Sequence, residues 1–164
     1  MASPRKSAFL RIDTPRNVHQ VIPVLKVRKD DTLHVAICSP RVWGYATHWD
    51  GKRTIRCTLG TGTCICKSGQ LPTRDKGFVL VANGAGQLLG FLELTPMAWH
   101  ELQALSTNID GLRGKVVKVF RQYGSMKGRL MVEPWGEYQG THPLPKDRDP
   151  EPTLRRIHGL PDLD

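Results

Sequence analysis

Asn83 and Gly84 stand between two apolar runs, residues 77–82 (Gly-Phe-Val-Leu-Val-Ala) and residues 87–94. Both residue types reach left-handed backbone conformations at little cost. A tight hairpin turn needs this, so the pattern predicts two antiparallel strands. Similar runs flank this pair. Residues 21–27, with Pro23 at a start or an edge, and residues 32–38 (Thr-Leu-His-Val-Ala-Ile-Cys) predict strands on either side of the turn Lys29-Asp30-Asp31. They form either a hairpin or one long strand broken by that turn. Residues 114–122 and 129–133 predict a last hairpin around Gly124 and Gly128. One helix interrupts the strands. Thr95 and Pro96 fit its cap and first position, Trp99, Leu102 and Leu105 make an apolar stripe, and Ser106-Thr107-Asn108 ends it.

Five or six short strands with a lone helix before the last two match a mainly β architecture, an OB-fold-like small barrel. At 164 residues the chain supports one core with tails. The expected organisation is a basic flexible arm at 1–18, a barrel at 19–134 with an insert at about 39–76, and a Pro- and charge-rich acidic tail at 135–164 that is largely unpacked. No run approaches the ~18 apolar residues of a membrane helix, and no apolar stretch follows the first residues. The expectation is a cytoplasmic protein with no membrane partner.

Residues 39–76 have no apolar period, many Gly and Thr, and three of the four cysteines. A loop of that length needs something to hold it. His48, Cys57, Cys64 and Cys66 supply one imidazole and three thiolates, the donor set of a closed tetrahedral Zn²⁺ site. The Cys64-x-Cys66 pair is a tighter bite than the usual Cys-x-x-Cys knuckle. Cys38 can replace one of the three thiols, His34 can replace His48, and a set of free thiols is the plain alternative. Four protein ligands leave no position for a catalytic water, so the expected zinc is structural.

This order of His, Cys and a close Cys pair, inside a basic β-rich chain, resembles the zinc-containing single-stranded-DNA-binding (helix-destabilising) proteins of tailed phages. The resemblance implies an OB-fold with His48, Cys57, Cys64 and Cys66 as the zinc ligands. It also makes Arg5-Lys6-Ser7 a reduced version of that family's basic arm, and the acidic tail a segment that recruits replication or recombination proteins.

Charge points the same way. Lys and Arg number 24 against 15 Asp and Glu, a net of +9. Residues 1–30 hold seven basic and two acidic side chains, residues 41–130 thirteen and five, and residues 131–164 four and seven. A basic body suits a polyanion, because each phosphate contact releases condensed counterions. Single strands are gripped by basic grooves with rings on which bases stack. Two segments interleave both: Arg41, Trp43, Tyr45, Trp49, Lys52, Arg53 and Arg56, then Lys115, Lys118, Phe120, Arg121, Tyr123, Lys127 and Arg129. Trp99 belongs to the core, and Phe78, Phe91 and Phe120 are of a type more often buried than stacked upon. Trp43, Tyr45 and Trp49 either bind or cover the zinc module.

Enzyme signatures are missing. The sequence has no phosphate loop ending in Gly-Lys-Ser/Thr, no Gly-x-Ser-x-Gly elbow, and no His-x-Glu with Pro-Cys-x-x-Cys deaminase pattern. The expected function is non-enzymatic binding of single-stranded nucleic acid, DNA before RNA, with little sequence preference. A protein-interaction or RNA-binding module of a phage or mobile-element complex is the alternative.

Overall fold

The computed structural model describes residues 22–49, 51–52, 54–57, 72–106, 111–124 and 127–158. In chain order these form β1 (Val24–Leu25), β2 (Thr32–Ile37), β3 (Trp43–Trp49), β4 (Thr54–Arg56), β5 (Arg74–Ala82), β6 (Leu88–Leu94), α1 (Pro96–Ala104), β7 (Lys115–Arg121), β8 (Leu130–Glu137) and α2 (Glu151–His158). No helix among them is long and apolar enough to cross a membrane.

All eight strands belong to one mixed sheet in the order β1-β6-β5-β2-β7-β8, with β3 also on β5 and β4 on β3. The β5–β6 hairpin forms where the sequence predicts it. The Asn83 side-chain oxygen accepts the backbone N–H of Ala85 (3.0 Å) and of Gln87 (2.9 Å), and Gly86 takes φ +79°. β5 is long enough to carry two neighbours end to end. Its last residues pair with β2 (Ile37↔Val81) and its first with β3 (Trp43↔Phe78 to Thr47↔Arg74). Ser39 bridges the break between them, its hydroxyl accepting the Leu80 N–H at 2.8 Å in place of a backbone carbonyl.

The sheet is open, which corrects the expected closed barrel. β1 runs parallel to β6 (Val24↔Phe91), so it pairs with neither its sequence neighbour β2 nor the far edge strand β8. Residues 21–38 are therefore neither a hairpin nor one bent strand. A second correction concerns residues 39–76, which contain β3, β4 and the start of β5 where an insert without strands was expected. The glycines there did not prevent strand pairing. Gly44 and Gly77 are cross-strand partners that leave room for Trp99, whose ring atom Cη2 lies 2.1 Å from where a Cβ on Gly44 would sit.

Side chains alternate across a strand, so the sheet has two faces with separate clusters. On the inner face, Val35, Ile37, Val79, Val81, Leu92, Leu94, Val117 and Val119 pack with Ala98 and Leu102 of α1. That helix begins as predicted, with the Thr95 hydroxyl accepting the Ala98 N–H at 3.3 Å and Pro96 in its first turn. Trp99 packs against this cluster, as the apolar stripe predicts. On the outer face, Cys38, Phe78, Leu80, Ala82 and Phe91 pack with Leu144 and Leu154. The C-terminal segment therefore lies on the sheet as far as the end of α2, where an unpacked tail was expected. Arg113 clamps it there, donating to the carbonyls of Cys38 (2.6 Å), Leu144 (2.8 Å) and Pro145 (2.7 Å).

Candidate nucleic-acid interface

The outer face is divided into a covered part and an open part. Trp43, Tyr45 and Trp49 alternate along β3 and project to this face, with Arg56 of β4 beside them (Thr47↔Arg56). The C-terminal segment covers most of them, and it does so with acids spaced two residues apart. Asp147 accepts from the Ser39 hydroxyl (2.5 Å) and the Trp43 indole N–H (3.2 Å). Asp149 accepts from the Tyr45 hydroxyl at 3.3 Å. Glu151 forms ion pairs with Arg56 and with Arg155. The Arg56 guanidinium also lies over the Tyr45 ring, 4.5 Å from its centroid. Burial, with Asp149 adding its charge, pushes the Tyr45 phenol up to about 12. Trp49, at the end of β3, escapes this cover and is 62% exposed.

The open part lies on β2, β7 and β8. Lys118 and Phe120 project from β7, with the ammonium 4.7 Å from the ring centroid. His34 of β2 is the cross-strand partner of Lys118, and its ring lies 4.4 Å from that of Trp135 in β8. Trp135 is the extra residue of a bulge, since Val117 pairs with Pro134 and Val116 with Gly136. Bulges re-aim side chains, and here the indole is left 62% exposed beside the lysine–phenylalanine pair. Carboxylates temper the charge: Glu133 lies 3.6 Å from Lys118, and Glu137 pairs with Lys115. Tyr123, at the tip of the β7–β8 hairpin, is 90% exposed and takes φ +58°.

The remaining candidates separate. Arg121 donates to the carbonyls of Val27 and Gly128, and Arg129 pairs with Glu101 of α1, so both serve the fold. Arg41, Lys52 and Lys127 are exposed, and Arg53 lies outside the described residues. Sequence reading missed Trp135 altogether and considered His34 only as a metal ligand. Pro134 ended the predicted strand too early to place the indole on a sheet.

His48 and Cys57 lie on the inner-face side of the β3–β4 hairpin. His48 pairs with Ile55, and the Cys57 N–H binds the Ala46 carbonyl, so the two side chains are diagonal neighbours. His48 is 1% exposed, with Nδ1 3.3 Å from the Pro72 carbonyl. A carbonyl only accepts, so Nδ1 carries the proton, and Nε2 keeps a lone pair that is buried without a partner among the described residues. A histidine ligand typically looks like this: one nitrogen tied to a carbonyl, the other free for a metal. Cys64 and Cys66 lie outside the described residues, among which no group of three metal-binding side chains occurs. The alternatives are placed elsewhere: His34 is on the outer face, and Cys38 is buried in the outer cluster.

No family model matches the chain, and no curated protein or solved structure is detectably similar to it.

Proposed function

We propose that the chain is a non-enzymatic protein that binds single-stranded DNA with little sequence preference on the open part of the outer sheet face. The observation that carries this is the row of His34, Trp135, Lys118 and Phe120 on three paired strands, with His34 and Trp135 exposed and Lys118 and Phe120 half-buried beside them. Rings left in water on an ordered sheet, next to an ammonium group, match the stacking and phosphate contacts of a non-specific strand binder. Tyr123 extends the row at the hairpin tip. Lys118 exchanges Glu133 for a phosphate when a strand binds. Trp43, Tyr45 and Arg56, engaged by the C-terminal acids, are not part of the free surface.

In the same reading a structural zinc holds the β3–β4 hairpin. His48 and Cys57 are two ligands, and Cys64 and Cys66 provide the other two. The support is the buried Nε2 of His48, unpartnered among the described residues, and the thiol on the same side of the hairpin. We also propose that the C-terminal end contacts replication or recombination proteins and that the protein is cytoplasmic.

Titration with homopolymers at several salt concentrations tests the reading. Affinity is expected to fall with a log–log slope of about −0.7 per phosphate contacted, and different bases should bind within a modest factor. Trp135→Ala should cost about 1–3 kcal/mol of binding, and Trp43→Ala should act mainly on stability. Tighter binding of duplex DNA or structured RNA than of a single strand at physiological salt would overturn it.

A further inference from the structure

A groove of about 370 Å³ opens on the outer face between the β3–β4 hairpin, β1 and α2, away from the open row on β2, β7 and β8. Its floor is apolar, with Phe78 from β5 and Leu154 from α2. Two walls are large apolar side chains left in water, Trp49 (62% exposed) and Ile157 (48% exposed). The rim carries three ammonium groups, Lys26, Lys52 and Lys76, against one carboxylate, Glu93, which pairs with Lys76 at 2.9 Å. Thr47 and Thr54 also line it, with the Thr47 hydroxyl already bound to the Arg74 carbonyl at 2.8 Å.

Each part of this lining favours one kind of occupant. An exposed indole and an exposed isoleucine lining one apolar floor suit a flat ring, because a planar ring packed against them removes both surfaces from water. A rim with net positive charge suits an anion attached to that ring. The volume falls at the small end of the range for small-molecule sites. We propose that this groove binds one nucleotide, its base against Trp49 and Ile157 and its phosphate at the rim beside Lys26 and Lys52. The groove and the open row have separate linings, and the C-terminal segment over Trp43 and Tyr45 lies between them. The proposal therefore stands without the strand reading.

Equilibrium dialysis of the full chain with labelled dAMP is the test. Saturable binding to one site per chain is expected, with deoxyadenosine and inorganic phosphate each binding more weakly. Trp49→Ala and Lys26→Gln should each lower dAMP affinity by about tenfold, and both positions are exposed, so the fold should survive. Circular dichroism checks that it does. A short oligonucleotide with a 5′-phosphate that displaces dAMP, where the unphosphorylated form does not, identifies the occupant as a strand end. Displacement by neither identifies a free nucleotide. Non-saturable binding, equal affinity in wild type and both variants, or inorganic phosphate binding as tightly as dAMP would each overturn the proposal. Trp135→Ala and Trp49→Ala together separate the two readings: strand affinity lost with dAMP binding intact in Trp135→Ala belongs to the open row, and dAMP binding lost with strand affinity intact in Trp49→Ala belongs to the groove.

Discussion

Tyr123 occupies the left-handed region (φ +58°, ψ +21°) with its side chain 90% exposed. For a non-glycine residue that conformation costs about 1 kcal/mol, and no burial of the ring offsets it here. Gly124, the next residue, takes φ +57° and bears the same geometry freely. Two properties of one residue thus pull apart, since the backbone favours glycine and the hairpin tip presents a ring. If Tyr123 is kept for stacking, Tyr123→Gly should stabilise the fold slightly, by up to about 1 kcal/mol, while weakening single-strand affinity by about fivefold or more. Denaturant unfolding and a strand titration on the same variant measure both. Affinity unchanged by the substitution would leave Tyr123 as an ordinary turn residue.

Among the elements, the β3–β4 hairpin joins the sheet through β3 alone. β4 is three residues long and pairs only with β3, so it forms a short edge with few ladder hydrogen bonds of its own. A zinc bound through His48 and Cys57 would supply what the hairpin lacks. One zinc per chain is expected by elemental analysis, with zinc–sulfur distances of ~2.3 Å by X-ray absorption. Cys57→Ser, or chelation, should raise amide exchange in β3 and β4 while β5, β6 and β7 stay protected. Metal-free protein with a fully protected hairpin would rule the site out. This hairpin also marks how far the elements can be read from residue patterns. The β5–β6 pair, the β7–β8 pair and α1 were readable because each has an apolar period and a turn or cap residue with a mechanism. β3 was not, because its apolar residues alternate with Gly44, Ala46 and His48 and are broken by no turn signal. The end of β8 was hidden by Pro134, which an edge strand tolerates and a central strand does not. The position of Trp135 depends on a bulge, which is set by pairing with β7. The covering of Trp43 and Tyr45 depends on contacts more than a hundred residues apart in sequence, which no local pattern encodes.

Across the whole molecule, two buried groups under the C-terminal segment ionise at high pH, the Tyr45 phenol bound to Asp149 of that segment and the Cys38 thiol bound to the Ala36 carbonyl. Burial pushes the Cys38 thiol from its ordinary 9.0 up to about 11, with Arg113 lowering it and Asp147 raising it. Burial, then Asp149, pushes the Tyr45 phenol from 10.0 up to about 12, with Arg56 acting in the opposite sense. Both groups hold their protons more tightly in the folded chain than in the unfolded one. Between the two sets of values the folded state therefore carries more protons, and stability falls as pH rises. The contribution is complete below about pH 9, where both groups are neutral in either state, and is lost progressively towards pH 11 and 12. Alkali should accordingly loosen the C-terminal segment: as the Tyr45 phenol ionises it loses its donor to Asp149 and leaves two anions side by side. The denaturation midpoint should drop between about pH 9 and about pH 10.5, before lysine titration weakens the surface ion pairs. Tyr45→Phe and Cys38→Ala should each flatten that drop, whatever they do to stability at neutral pH. Asp149→Asn removes the charge that raises the phenol, so phenolate absorbance should appear at lower pH than in wild type. A midpoint that stays level over this range, or variants whose pH dependence matches wild type, would show that these two protons do not set stability in alkali.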